Sequence, residues 1–136
     1  PWVMNELQIL SLEIQRMPKA MGQLFGRVEA YPYHSVCTIG THDMSTFRGW
    51  WEEDPQLTER FYHDELHHWG EVPEQAPGWL CKEVIKQHLD SPSMLCILTW
   101  QDWLSVDEAL GNPACQSVEL LALADASHTG TAYGSR

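Results

Sequence analysis

The chain has 136 residues, so it forms one domain at most or belongs to a larger one. Hydrophobic residues make up 43% and charged residues 20%, which predicts a folded core rather than a disordered chain. The formal net charge of −11 disfavours binding to nucleic acid, whose phosphates are negative, and to anionic membrane surfaces.

The start of the chain shows no targeting pattern. Pro1 leads directly into an apolar-rich segment without a basic region or cleavage site, and no long uncharged apolar run follows. We therefore expect a fragment of a longer protein, without a signal peptide or a membrane span. The four cysteines are widely spaced, and Cys37 and Cys96 lie in apolar runs. This pattern favours reduced thiols and a cytoplasmic location over a disulfide framework.

The first third of the chain predicts a helix, a strand, a loop and a second strand. A helical pattern covers residues 1–10, and apolar residues alternate with polar ones over residues 10–14. Residues 16–33 contain two prolines and two glycines, which predicts a long loop. The β-rich run that follows predicts a strand over residues 36–39.

The middle of the chain predicts helices and then a third strand. Ser45 or Thr46 is the expected N-cap of a helix after the second strand, and an acidic start leads into a helix that runs to Trp69 and stops at Gly70. After a linker, residues 79–89 form an amphipathic helix and residues 94–98 an apolar strand. Strands alternating with helices predict an α/β fold with a parallel sheet.

The composition changes after Gly111. Residues 114–123 could form a short helix, and residues 125–136 are small and polar, which predicts a disordered end. We divide the chain into a globular segment, residues 1–113, and a divergent tail, residues 114–136.

Polar pairs follow two of the predicted strands. His42 and Asp43 come after the second strand, and Gln101 and Asp102 after the third. Glu13 and Arg16 lie near the first strand. Catalytic groups in α/β folds lie at the carboxyl ends of strands, where the strand fixes them and the loop leaves them open. A structural turn is the alternative for the His-Asp dipeptide taken alone. Trp50 is bulky and suited to lining a substrate pocket.

His63 and His67 offer a metal-binding alternative. Their spacing of four residues would place both imidazoles on one face of a helix, as in helical zinc sites. Glu65 does not occupy either position that zinc proteases use, and no third ligand is evident, so an exposed polar face is the favoured interpretation. The sequence also lacks a nucleophile elbow and a phosphate-binding glycine loop. Carboxylates, a histidine and tryptophans at one rim suit a neutral polyhydroxyl ligand.

Three segments carry a family resemblance: LQILSLEIQRMPK, PYHSVCTIGTHDMSTFRGWWEEDP and HLDSPSMLCILTWQDWLSVDE. With the helices between them they cover most of the chain, and they resemble the C-terminal part of the catalytic barrel of amylomaltases, the 4-α-glucanotransferases. The resemblance implies a (β/α)8 TIM barrel of which this chain holds about the sixth, seventh and eighth strands.

The resemblance also implies an activity and site roles. The reaction would be retaining transfer of glucosyl or glucan units between α-1,4-glucans such as maltose, maltodextrin, glycogen or soluble heteroglycan, with no metal or organic cofactor. Asp43 would stabilise the transition state, His42 would bind the same sugar ring, and Gln101, Asp102 and Trp50 would bind substrate. The nucleophilic Asp and the acid/base Glu would precede Pro1, so we expect the chain alone to be inactive. A non-catalytic glucan-binding or interaction fragment is the alternative.

Overall fold

The computed structural model describes Val3, Glu6, Leu7 and residues 9–110. Its centre is a three-stranded parallel sheet in the order β1-β2-β3, formed by Ser11–Ile14, Ser35–Thr38 and Leu95–Ile97. The sequence predicted all three strands to within one or two residues, and the parallel α/β arrangement is confirmed. The predicted helix over residues 1–10 lies largely outside the described residues. The predicted tail, residues 114–136, lies wholly outside them.

Within the described residues, four helices and two shorter turns accompany this sheet. They are a 3₁₀ turn at Val28–Ala30, α1 at Phe47–Glu53, α2 at Pro55–Arg60, a π-helical turn at Phe61–Glu65, α3 at Gly78–Leu89 and α4 at Trp100–Leu104. The N-cap of α1 is Thr46, as predicted, and its hydroxyl accepts a hydrogen bond from Gly49 N at 3.1 Å. Asp54 caps α2 in the same way, with Pro55 in the first turn.

The helix predicted to run to Trp69 ends earlier. Its last turn widens, so that Leu66 N donates to Phe61 O at 3.1 Å, and His68 N then donates to Tyr62 O at 3.0 Å. His67 adopts a left-handed conformation with φ of 56°, which ends the helix three residues before Gly70. Trp69 therefore leaves the apolar face to which its spacing assigned it.

The two faces of the sheet differ in how they are covered. Cys37 is fully buried beneath α3, where its Sγ lies 3.6 Å from His88 O. On the opposite face, Leu12 and Leu95 pair with Val36 in one row, and Ile97 pairs with Thr38 in the next. Leu12, Leu95 and Ile97 are about half exposed, at 50%, 49% and 56%. The continuous apolar run of β3 predicted a strand covered on both faces. Among the described residues, only one face of the sheet is covered.

The main core lies between the helices and beside the carboxyl end of the sheet. Aromatic rings dominate it and meet at centroid distances of 5.1–6.3 Å, mostly edge to face. Its fully buried centre includes Trp51, Phe61 and Leu80. These contacts hold α1, α2 and α3 as one layer against the loops that leave the strands.

Gly78, the first residue of α3, packs directly on the segment after α4. A Cβ at this position would lie 2.2 Å from Val106 O, and the Gly78 N–H donates to Glu108 Oε1 at 2.5 Å. Arg48 reaches the same carboxylate and donates to Ser105 O at 3.0 and 2.6 Å. The close approach of two backbones therefore requires glycine here.

We expect Gly78→Ala to lower the free energy of unfolding by about 1–3 kcal/mol, because the methyl group must displace a backbone carbonyl. Urea unfolding measures the loss, and Gln75→Ala, an exposed position in the preceding loop, is the matched control. Equal stability of the two variants would contradict this account of the packing.

Candidate active site

The carboxyl ends of the three strands meet at one edge of the sheet because all three run in the same direction. Arg16 follows β1, His42 and Asp43 follow β2, and Gln101 and Asp102 lie in α4 directly after β3. The structure thus places the two polar pairs from the sequence on the same edge. Arg16, which the sequence placed near the first strand, lies at this edge as well.

His42 and Asp43 project from a tight turn into solvent. Met44 N donates to Thr41 O at 3.1 Å and closes the turn around the pair. The two side chains are 84% and 81% exposed, and His42 Nε2 lies 3.2 Å from Asp43 Oδ1. Both groups are accessible to a ligand, and neither contributes to the core.

Arg16 holds the loop that carries this turn. Its Nε and Nη2 donate to Ile39 O at 3.3 and 3.1 Å, and its Nη1 and Nη2 donate to Ser45 O, both at 3.1 Å. These carbonyls stand on either side of His42 and Asp43 in the chain. The planar guanidinium, with donors in a fixed fork, therefore fixes the distance between the two ends of the loop.

The surroundings of Arg16 leave it little freedom. Its guanidinium carbon lies 5.4 Å from the centre of the Trp50 ring, a cation–π contact. A Cβ at Gly40 would lie 2.5 Å from Arg16 Nη2, so the loop can approach the guanidinium only with glycine at this position. Burial lowers the pKa of Arg16 to about 10, opposed by the negative charges of Asp102 and Glu53, and the side chain stays protonated at neutral pH.

Trp50 lies in the aromatic core with 9% of its surface exposed. It contacts Phe25 and Phe61 at ring distances of 6.2 and 5.2 Å, besides Arg16. The Trp50 ring therefore packs against the Arg16 guanidinium and leaves little surface for contact with a sugar. Its predicted role in substrate binding stays a prediction, and the structure assigns it a packing role.

Asp102 is occupied by the local structure of α4. It is 7% exposed, and its Oδ2 accepts from Thr99 N at 2.7 Å and from Thr99 Oγ1 at 2.9 Å, which completes a capping box. Burial raises the pKa of this carboxyl, against the effects of Thr99 and of the Arg16 charge. Gln101, its neighbour in the first turn, is partly exposed. The substrate-binding roles of both residues stay predictions.

The geometry that suggested a metal site at His63 and His67 is absent. The left-handed backbone of His67 takes it out of the helix, and His63 Nδ1 lies 2.6 Å from His68 O. The two imidazoles therefore do not share a helix face. No group of three or more His, Cys, Asp or Glu side chains suited to a metal ion occurs within the described part of the chain.

At the edge of the sheet the arrangement offers an accessible carboxylate and an imidazole on a rigidly held turn. Such a pair can accept hydrogen bonds from hydroxyl groups and stabilise a positive charge that develops on a bound ligand. Within the described residues, no helix is long and apolar enough to cross a membrane.

Comparison with known families decides the class. The family model described as 4-alpha-glucanotransferase, glycoside hydrolase family 77, matches residues 1–118. The chain belongs to the 4-alpha-glucanotransferase family. This confirms the resemblance drawn from the three sequence segments, since the match spans all of them.

Individual relatives of the chain agree with this family. It is 40% identical over 106 residues to the 4-alpha-glucanotransferase DPE2 of Oryza sativa subsp. japonica, covering 78% of the chain and 11% of that protein. It is 36% identical over 50 residues to a 4-alpha-glucanotransferase of Haemophilus influenzae, covering 37% of the chain and 7% of that protein. The chain therefore spans about a tenth of the length of these curated relatives.

A solved structure shows the same fold. The amylomaltase from Streptococcus agalactiae, determined in complex with acarbose, superposes with a TM-score of 0.57 at 16% sequence identity. The match covers 76% of this chain and 20% of the amylomaltase chain. At this identity the likeness concerns the fold alone.

Proposed function

We propose that this chain supplies part of the active site of a 4-α-glucanotransferase that transfers glucosyl or glucan units between α-1,4-glucans. Membership of the family supports the class of reaction. The observation that carries the proposal is the exposed Asp43 carboxylate on a turn at the end of the middle strand, with Arg16 bonded to the carbonyls on both sides of it. Maltose, maltodextrin, glycogen and soluble heteroglycan are the substrates that fit this proposal.

The residues would act as the last part of a barrel. We place β1, β2 and β3 as the sixth, seventh and eighth strands of a (β/α)8 barrel in a longer polypeptide. Leu12, Leu95 and Ile97 are half exposed on one face of the sheet, and this supports the placement. The interior of such a barrel is filled by apolar side chains from neighbouring strands. Closing the sheet with further strands would remove this apolar surface from water.

Asp43 would bind hydroxyl groups of the transferred sugar and stabilise the oxocarbenium-like transition state through its negative charge. His42, 3.2 Å from it, would bind the same ring. In a retaining mechanism a second carboxylate forms the glycosyl-enzyme and a third group acts as acid and then base. We assign those two roles to residues that precede this segment in the longer polypeptide, and an acceptor glucan takes the place of water.

We also place the protein in the cytoplasm. The thiols of Cys37, Cys81 and Cys96 are free, which suits a reducing compartment.

The test compares the 136-residue chain with the full-length polypeptide that contains it, each incubated with maltotriose. We expect the full-length protein to produce glucose and longer maltodextrins while the number of reducing ends stays constant, which distinguishes transfer from hydrolysis. The isolated chain should produce neither, because the groups that break the bond lie outside it. Glucose release by the isolated chain, or net gain of reducing ends by the full-length protein, would contradict the proposal.

A further inference from the structure

Two tryptophans, one between α2 and α3 and one at the start of α3, lie on the surface. Trp69 is 85% exposed and Trp79, at the start of α3, is 50% exposed. Tryptophan buries more apolar area than any other side chain, so leaving an indole in water gives up a large favourable contribution. Exposed apolar side chains that form one patch are candidates for a binding surface.

A tight loop fixes both rings. The Trp69 ring stacks on His63 with a centroid distance of 5.7 Å and an angle of 27° between the planes, which leaves its other face open. The Trp79 ring meets the edge of His68 at 5.4 Å and 84°. His63 Nδ1 lies 2.6 Å from His68 O, which ties the two contacts together. We call these four residues the Trp69–Trp79 platform.

The platform stands on the protein core. Tyr62, which is 7% exposed, packs against His68 at 5.1 Å and against the buried Trp51 at 6.4 Å. His68 N donates to Tyr62 O at 3.0 Å, and His67 takes the left-handed conformation that turns the chain here. The rings therefore lose little conformational entropy when a ligand covers them, because their neighbours already hold them.

Polar groups adjoin the rings. Glu83 lies one helical turn after Trp79 in α3. Its Oε2 lies 2.7 Å from His68 Nε2, and among the described residues it forms a hydrogen bond with no other side chain. Both side chains are about one-third exposed, at 34% and 37%. A carboxylate has more acceptor sites than one imidazole uses, so it can also accept from hydroxyl groups. The net charge of −11 disfavours an anionic ligand at this surface.

Flat indole faces beside hydrogen-bonding groups suit the apolar C–H face and the hydroxyl rim of a hexose. We propose that the Trp69–Trp79 platform is a binding surface for α-1,4-glucan chains. The choice of ligand rests on the proposed function, but the surface itself includes none of the residues assigned to transfer. It would retain long glucans, while short maltodextrins would react without it.

Affinity electrophoresis of the full-length protein in gels containing amylopectin tests the proposal. We expect Trp69→Ala combined with Trp79→Ala to weaken retardation by about tenfold in apparent affinity, as loss of two aromatic contacts predicts. Trp69→Ala alone, at an almost fully exposed position, should give part of this effect without unfolding risk. Tyr33→Ala is the matched control. It removes an aromatic side chain that is 65% exposed and that precedes β2, at the end of the sheet opposite to the carboxyl ends of the strands.

Transfer assays separate the two proposals. With maltotriose as substrate, kcat and KM should stay at wild-type values in the double variant, whereas the apparent KM for amylopectin should rise. Binding to amylopectin is measured without turnover, so it still tests the platform if transfer is absent. Wild-type retardation of the double variant, or an equal loss in Tyr33→Ala, would overturn the inference.

Discussion

Asp43→Asn should lower kcat of the full-length protein by about 10²–10³-fold with maltotriose as substrate, because the amide keeps the shape of the side chain and removes its negative charge. The charge acts only when the sugar becomes positive in the transition state, so kcat and kcat/KM should fall together. His42→Ala should cost less, about tenfold, since it removes one hydrogen bond to the ring rather than the charge.

Asp43→Asn should not change the stability of the fold. The Asp43 side chain is 81% exposed and pairs, among the described residues, only with His42, so the melting temperature of Asp43→Asn should match the wild type. Asp64→Asn, another exposed aspartate, is the control for loss of a surface charge and should retain full activity. A fully active Asp43→Asn protein would refute the role in transfer, and an inactive protein that also melts early would show that the turn is structural.

The local elements could be predicted from the sequence because short-range patterns determine them. Alternation of apolar residues identified β1, and the helical period identified α3, which begins one residue before the predicted Trp79. Thr46 was one of two predicted caps because a hydroxyl at that position can reach Gly49 N. The position of His42 and Asp43 at a strand end followed in the same way.

What the sequence did not predict depends on contacts between distant segments. Trp69 fits a helical apolar stripe, but a widened turn and the left-handed His67 place it in solvent. Trp50 follows a strand end as a pocket residue would, yet four aromatic side chains pack against it in the core. The sequence placed Arg16 near the end of the first strand, but it did not predict the hydrogen bonds of Arg16 to Ile39 O and Ser45 O.

Arg16→Lys should reduce kcat by at least about tenfold while the protein stays folded, because a misplacement of about 1 Å in a group that meets the transition state can cost 10²-fold. An ammonium donates from one nitrogen on a flexible chain, so it cannot hold Ile39 O and Ser45 O at a fixed separation as the rigid fork of the guanidinium does. The loop would then carry Asp43 over a range of positions, and KM should change less than kcat.

Arg16→Ala removes the donors altogether. It leaves two carbonyl groups without their partner and a gap beside Trp50, so we expect a loss on the order of 2 kcal/mol in the free energy of unfolding in addition to the loss in kcat. The lysine variant is therefore the sharper test of positioning, since it keeps the charge and most of the volume.

Arg48→Lys is the matched control for Arg16→Lys. Arg48 is also a buried arginine bonded to a carbonyl, but it joins α1 to Ser105 and Glu108 rather than to the loop of His42 and Asp43. We expect Arg48→Lys to lower the melting temperature and leave kcat per folded molecule unchanged. Arg16→Lys should instead lower kcat and leave the melting temperature nearly unchanged. Equal losses of kcat in the two variants would mean that Arg16 acts through general stability and does not position Asp43.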